Sequence, residues 1–342
     1  MKQKILFLLT LLVASVGTQA KSWKIGPSSV TGMNFASINA AMNSSNVSAG
    51  DTLYLDQYYN ESAEQTVTKA VVIIGTGYDT STTDEQVVAT LTSSLNLKAD
   101  NVVVKSVKLS DVYFYNNQCV LDRCYITFVK VNSSSAGLNH IYSCYIFGTV
   151  NGLGSTQQSQ SKLDIQNNVI IYDNNRHCIV CLNSSTIKNN VIINTYSNIC
   201  HCIYYVNNSE IANNIILNTS SSSNDVSGDV YESGSGNTIE HNILSRSSSL
   251  SYYPTNKIGY GSGMSNLFTQ TGNFSDYYKL VDNSPARGYA TDGGDVGCHG
   301  GMFGCPSGGR PQHIPYFTKV TVGSRTENGK LPVSVTIKIQ DE

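Results

Sequence analysis

Six segments of the chain place an apolar residue three positions before an Asn or Cys and another two positions after it. They are Leu121/Cys124/Ile126, Ile141/Cys144/Ile146, Ile165/Asn168/Ile170, Ile187/Asn190/Ile192, Ile211/Asn214/Ile216 and Ile239/Asn242/Leu244. The Asn or Cys recurs every 20 to 28 residues, and a period of that size marks a solenoid. A weaker copy precedes them at Val104–Leu109. A leucine-rich repeat would need a dense Leu pattern. The runs here are instead short, β-branched and broken by Asn, Ser and Gly, which predicts about three brief strands per turn with tight corners. Asn suits such a corner because it tolerates the left-handed backbone and bonds its own turn. Its amide also has a partner in the Asn one coil away, so the column predicts a ladder. Cys124 and Cys144 fill the same position as small residues that pack.

Alternation adds a second expectation. If the ladder and Ile positions face inward, Tyr125, Tyr145, Val169, Val191, Ile215 and Ile243 face outward, as do Thr127, Phe147, Ile171, Ile193, Leu217 and Ser245. An apolar stripe of that length needs a cover. The candidates are the C-terminal hairpin, the loop from Asn151 to Ser161, or a partner protein.

The ends of the pattern differ from its middle. A solenoid needs capping, and the stretch from Asn34 to Ser45 predicts an amphipathic helix. Asn34 would be its N-cap, with Phe35, Ile38, Ala41 and Met42 on one face. Beyond Pro306 the sequence alternates around Asn328-Gly329, as a β-hairpin does. Residues 1–20 carry Lys2 and Lys4, an apolar run from Ile5 to Val13 and Thr18-Gln19-Ala20, the pattern of a cleaved signal peptide. That run is too short to span a bilayer, and no later stretch reads as a transmembrane segment. The expected organisation is therefore a signal over 1–20, a solenoid over 21–305 and a hairpin tail over 306–342. The expected location is secreted, periplasmic or at the cell surface.

Composition narrows the function. Charged residues make up 13% of the chain and the formal net charge is −2, which leaves no basic face for nucleic acid. Tyr outnumbers Phe and Trp, at 21 against 9 and 1. Such a bias suits strands, and it also suits stacking against sugar rings. The nine Cys are an odd number in an export context that permits disulfides. Cys178 and Cys202 align over a 24-residue shift together with His177 and His201. Core packing, a disulfide between coils and a metal site are all readings of that pair, although the spacing matches no zinc pattern. Cys298 and Cys305 are close enough in sequence to close a small loop. No metal or cofactor is expected.

The segments "FASINAAM", "SAGDTLYLDQYYNES" and "TVTKAVVIIGTGYD", with the closing "SPARGYATDGGDVGCHGG", resemble the secreted bacterial β-helix repeat proteins of the pectate-lyase-like superfamily. The resemblance covers Phe35 to Gly301. It implies an all-β fold, a right-handed parallel β-helix of roughly ten coils with an N-terminal capping helix. It does not fix activity, because the superfamily includes lyases, hydrolases, esterases, binding proteins and phage tailspikes.

The family's catalytic patterns are missing. A galacturonan hydrolase has Asn-Thr-Asp, Asp-Asp, Gly-His-Gly and Arg-x-Lys motifs, and none occurs here. The coil carboxylates Asp111, Asp122, Asp164, Asp173, Glu210 and Glu240 stand singly, unlike the converging set that holds calcium. A metal-independent lyase asks for less: a base and cations that stabilise developing charge. Asp173, Arg176 and His177, with His201 one coil on, are the candidate catalytic group. The alternative for them is a solvated polar corner. Arg123, Tyr125 and Tyr145 are candidate substrate-binding residues. The leading expectation is an exported glycan-binding β-helix without a complete catalytic set. The alternatives are a lyase or hydrolase of an acidic polysaccharide, and an adhesive solenoid that binds a protein partner through the apolar stripe.

Overall fold

The computed structural model describes residues 20–79, 88–133, 137–153, 161–195, 200–218, 229–231, 236–245, 254–259, 264–305, 308–309, 316–322 and 333–338. Residues 1–19 of the expected signal over 1–20, most of the loop from Asn151 to Ser161 and the Asn328-Gly329 turn lie outside these residues. Two large all-parallel sheets form a parallel β-solenoid. Ten short strands build the first sheet, from Ser22–Ile25 and Thr52–Leu55 through Leu138–Tyr142 and Lys162–Gln166 to Thr238–Glu240.

The repeat explains the register. The apolar residue three before the ladder position lines one inward column, in which Leu121 pairs with Ile141, then Ile165, Ile187, Ile211 and Ile239. The residue two after it lines a second column in the fourteen-stranded sheet, from Leu109 and Ile126 through Ile146, Ile170 and Ile192 to Leu244. Both columns belong to one buried core. Each such side chain contributes about 1.5–3 kcal/mol relative to an exposed one. The period-2 pleat then fixes which neighbours face out.

The ladder is present. Asn190 accepts the Asn168 backbone N–H at 2.9 Å and its amide at 3.0 Å. It donates to Ile165 O and to Asn214 Oδ1, both at 2.9 Å. The same pattern links Asn214 to Asn242 and Asn242 to Asn256. At the other end Asn168 Oδ1 accepts from Cys144 N at 2.8 Å, and the Cys144 sulfur accepts from Cys124 N at 3.4 Å.

One detail corrects the corner assignment. The left-handed residue is the one before the ladder position: Arg123, Ser143, Asn167, Asn189, Asn213 and His241, with φ between 52° and 59°. That residue turns the chain, and the next one points its amide inward. The Asn-Asn pairs therefore divide two tasks between them. A second ladder, made of mixed residues, runs through Asn139, Ser185, Ser209 and Asn237, each accepting a backbone N–H from the coil before.

The apolar stripe is covered by the chain itself. Val169, Val191, Ile215 and Ile243 are buried against Leu267, Phe268, Tyr278, Leu280 and Val296. The cover is thus residues 264–298, and the surface expected for a protein partner is closed over this length. Gly297 sits at φ 95°, and a Cβ there would lie 2.8 Å from Ile215 Cδ1, so the close approach requires glycine. Cys298 and Cys305 form a disulfide, and the other seven cysteines are buried. Asn167 donates to Cys298 O at 3.0 Å and Ser143 to Gly304 O at 2.6 Å, tying this loop to the corner residues.

The helix is shorter than expected and starts later. It spans Ile38–Asn43 with Ser37 as N-cap, whose hydroxyl accepts from Ala40 N at 3.1 Å. Asn34 instead accepts from Lys24 N at 2.7 Å. Ile38, Ala41 and Met42 are buried as anticipated. In the tail, Tyr316–Val322 and Val333–Lys338 pair antiparallel.

Candidate functional site

The two sheets differ on their outward faces. Four strands of the fourteen-stranded sheet, those carrying Val169, Val191, Ile215 and Ile243, pack beneath residues 264–298. The ten-stranded sheet keeps half-exposed polar residues on either side of each inward Ile: His140 and Tyr142, Asp164 and Gln166, Thr186 and Lys188. Register stacks Val120, His140, Asp164 and Thr186 in one outward column and Lys105, Asp122, Tyr142, Gln166 and Lys188 in the other. Rungs lie about 4.8 Å apart, so side chains on adjacent rungs meet.

His140, Tyr142 and Asp164 form the densest group on this face. Tyr142 Oη donates to Asp164 Oδ2 at 2.5 Å and lies 2.7 Å from His140 Nδ1. His140 Nδ1 is also 3.4 Å from Asp164 Oδ2, and its Nε2 is 3.2 Å from Gln118 Oε1. Gln166 donates to Asp164 Oδ1 at 2.7 Å. Burial works to raise the Asp164 carboxyl pKa, but hydrogen bonds from His140, Tyr142 and Gln166 outweigh it and hold the pKa below the ordinary value. Burial and Asp164 together push the Tyr142 phenol up, so it stays protonated. Phe303, from the disulfide loop, stacks on Tyr142 at 3.9 Å.

Charges on neighbouring rungs are paired. Lys188 meets Glu210 at 2.5 Å, and Lys105 and Arg123 both meet Asp122 at 3.3 Å. The first of these balances, whereas the second leaves two cations sharing one carboxylate. At the N-terminal edge this face opens into a cleft of about 290 Å³ lined by Lys24, Met33, Tyr54, Asp56, Gln57 and Thr76.

The four residues singled out from sequence as a catalytic group come together only in part. His177 and His201 stack at 5.4 Å, and Tyr204 lies 3.8 Å from His177. The His201 backbone N–H donates to His177 Nδ1 at 2.9 Å. Burial and the neighbouring His201 push His177 down to about 4, so it is neutral at ordinary pH with its proton on Nε2. Asp173 and Arg176 are exposed. Among the described residues, neither makes a side-chain hydrogen bond or ion pair with His177. Arg123 serves Asp122, as above. Tyr125 and Tyr145 stack at 5.7 Å, with Tyr78 against the first and Phe274 against the second. These rings are packed rather than presented.

The His140 group was readable as a signal: each template Ile is flanked by outward positions, and reading those down the repeat brings His140, Tyr142, Asp164 and Gln166 together. Taken singly, Asp164 looked isolated. No family model, curated protein or solved structure matches the chain.

Proposed function

We propose that this chain is an exported, right-handed β-helix of the pectate-lyase-like type that binds an acidic glycan along the outward face of its ten-stranded sheet. The observation that carries this reading is the contrast between the two sheets. One outward face is apolar from Val169 to Ile243 and is covered there by residues 264–298. The other bears rows of half-exposed planar polar groups in register with the coils, with Phe303 stacked on Tyr142. Amide, imidazole and phenol edges repeated along a rigid strand array suit a ligand that is itself a repeat of hydroxyls and rings. The surplus cation at Lys105 and Arg123 against Asp122 favours an anionic chain. The Lys2/Lys4 and apolar leader expected to direct export supports this reading, since extracellular polysaccharide is met outside the cell.

The test is retention on columns of immobilised polygalacturonate, alginate and a neutral glucan. Retention on an acidic column is expected, falling at least tenfold in an Arg123→Ala/Gln166→Ala double variant that melts normally. Equal retention of the variant, or none by the native protein on any acidic column, would remove the reading.

A further inference from the structure

The first strand of the ten-stranded sheet, Ser22–Ile25, begins just after Lys21, the residue that follows the expected cut at Ala20. It pairs in register with Thr52–Leu55, and Lys21 O accepts from Thr52 N at 2.8 Å. This pairing fixes where the Lys21 backbone nitrogen lies. That nitrogen donates to Asp51 Oδ1 at 2.8 Å, while Trp23 Nε1 and Ser48 N donate to Oδ2 at 2.8 and 3.0 Å. Asp51 is only 2% exposed. Burial works to raise its pKa. Hydrogen bonds from Trp23, Lys21 and Ser48, with the charge of Lys21 beyond them, outweigh burial and hold the pKa below the ordinary value. The carboxylate is therefore ionised, yet among the described residues no ion pair ends on it. Lys21 Nζ lies over the Trp23 ring at 5.9 Å instead. A buried charge without a partner ion is costly to keep, so its partner is worth seeking.

We propose that Asp51 is the receptor for the α-ammonium group created at Lys21 when the leader is cut after Ala20. Processing then locks the first coil of the solenoid. This rests on the expected leader and is independent of the glycan reading. Ala20 and Lys21 are both exposed, so the peptide bond between them is open to a leader peptidase. In the hydrolysis, the oxygen of water joins the Ala20 carbonyl carbon as the carbon–nitrogen bond breaks. Both water protons end on the Lys21 nitrogen, giving an Ala20 carboxylate and a Lys21 α-ammonium. The nitrogen already sits 2.8 Å from Asp51 Oδ1, so it gains its charge without having to move. Before the cut, the same position holds a neutral amide with a single proton. Afterwards the bond joins two ions, the strong form of this contact. A cut at any other bond leaves the Lys21 nitrogen an amide and Asp51 without its ion.

The consequence is local. Ser22–Ile25 and Thr52–Leu55 are held more loosely while the leader is attached than after it is removed. The first coil, on which the rest of the solenoid stacks, is completed at the moment of processing. Trp23 is the only Trp in the chain, and its bond to Asp51 makes it a reporter of this corner.

The experiment compares two forms of the protein, one beginning at Lys21 and one with Thr18-Gln19-Ala20 retained ahead of it. Each is made with Asp51 and with Asp51→Asn. Hydrogen exchange read by mass spectrometry follows the peptides over Ser22–Ile25 and Thr52–Leu55, and acrylamide quenching follows Trp23. N-terminal sequencing of the exported protein identifies the natural cut. The exported chain is expected to begin at Lys21. Exchange in both peptides should be at least about fivefold slower with Lys21 free than with the extension, which is what the strongest solvent-exposed ion pairs give. Trp23 should be quenched less. Both differences should vanish in the Asp51→Asn pair. If Asp51→Asn does not melt cooperatively, the two termini on the native background carry the test. Equal exchange in those two overturns the receptor and leaves the leader standing. A difference that persists in folded Asp51→Asn overturns Asp51 as the receptor. An exported chain that begins elsewhere, or keeps its leader, overturns the proposal together with the cut on which it rests.

Discussion

Replacing Asn190 by Ala should be among the most damaging single changes in the chain. Four hydrogen bonds end on that side chain: two accepted from Asn168, one donated to Ile165 O and one donated to Asn214 Oδ1. Asn190 is fully buried, so water cannot replace them. Each lost bond costs about 0.5–1.5 kcal/mol net, and each orphaned buried group about 1–3 kcal/mol. Partial relaxation of the corner keeps the total below the simple sum, at about 3–5 kcal/mol. At 1.4 kcal/mol per decade, that shifts the folded-to-unfolded ratio by about a hundredfold to a few thousandfold. Asn190→Cys should cost less, because a thiol at the equivalent Cys144 still accepts the Cys124 backbone N–H. Urea unfolding followed by far-ultraviolet circular dichroism reads both variants, with the m-value checking that the cooperative unit is unchanged. A loss below about 1 kcal/mol for the Ala variant, or a larger loss for Cys than for Ala, would refute the view that buried amides brace the corners.

Three further outcomes follow from the cover, the disulfide and the histidine stack. Ile215→Ser places a hydroxyl beneath the 264–298 cover and should cost about 2–4 kcal/mol while increasing binding of a hydrophobic dye; unchanged dye binding would mean the cover does not seal the stripe. Replacing Cys298 and Cys305 by Ser removes a short closed loop worth about 2 kcal/mol, seen as a lower Tm, whereas the other seven cysteines, all buried, should react with a thiol reagent only after unfolding. His177 has its pKa lowered on folding, so the unfolded chain takes its proton first as pH falls from 6.5 towards 4. Native stability should decline over that window and be unaffected by His177 above it. His177→Gln should flatten this part of the Tm–pH curve, and parallel curves for the two proteins would contradict the assignment. Because His177 is partly solvated, the effect should be well under the full linkage value.

Much of the fold was legible because stacking forces one residue type into one place on every coil. The Ile–x–x–Asn–x–Ile spacing contains both inward columns and the ladder between them. What sequence left open follows from features with no period. Residues 264–298 carry no repeat, so nothing in their order identifies them as the cover of Val191 and Ile215. The ladder of Asn139, Ser185, Ser209 and Asn237 mixes two residue types and so escapes a search on Asn. The helix cap moved to Ser37 because Asn34 had a tertiary partner in Lys24, which local propensity cannot reveal. The site was harder still. Asp173, Arg176 and His177 are neighbours in sequence, yet in the loop between Tyr172 and Ile179 the first two are exposed while His177 is half-buried against His201. His140 and Asp164 lie 24 residues apart and meet only because the coils stack. In a solenoid, proximity runs down the repeat rather than along the chain.

The most direct measurement is a crystal structure of the protein soaked with an oligosaccharide of whichever acidic polymer its column retains. The expected result is sugar density across the rungs of Asp122, His140 and Gln166, with a uronate carboxylate at Lys105 and Arg123. Density against the 264–305 segment or the hairpin, with the ten-stranded face bare, would contradict the assignment of that face as the functional one.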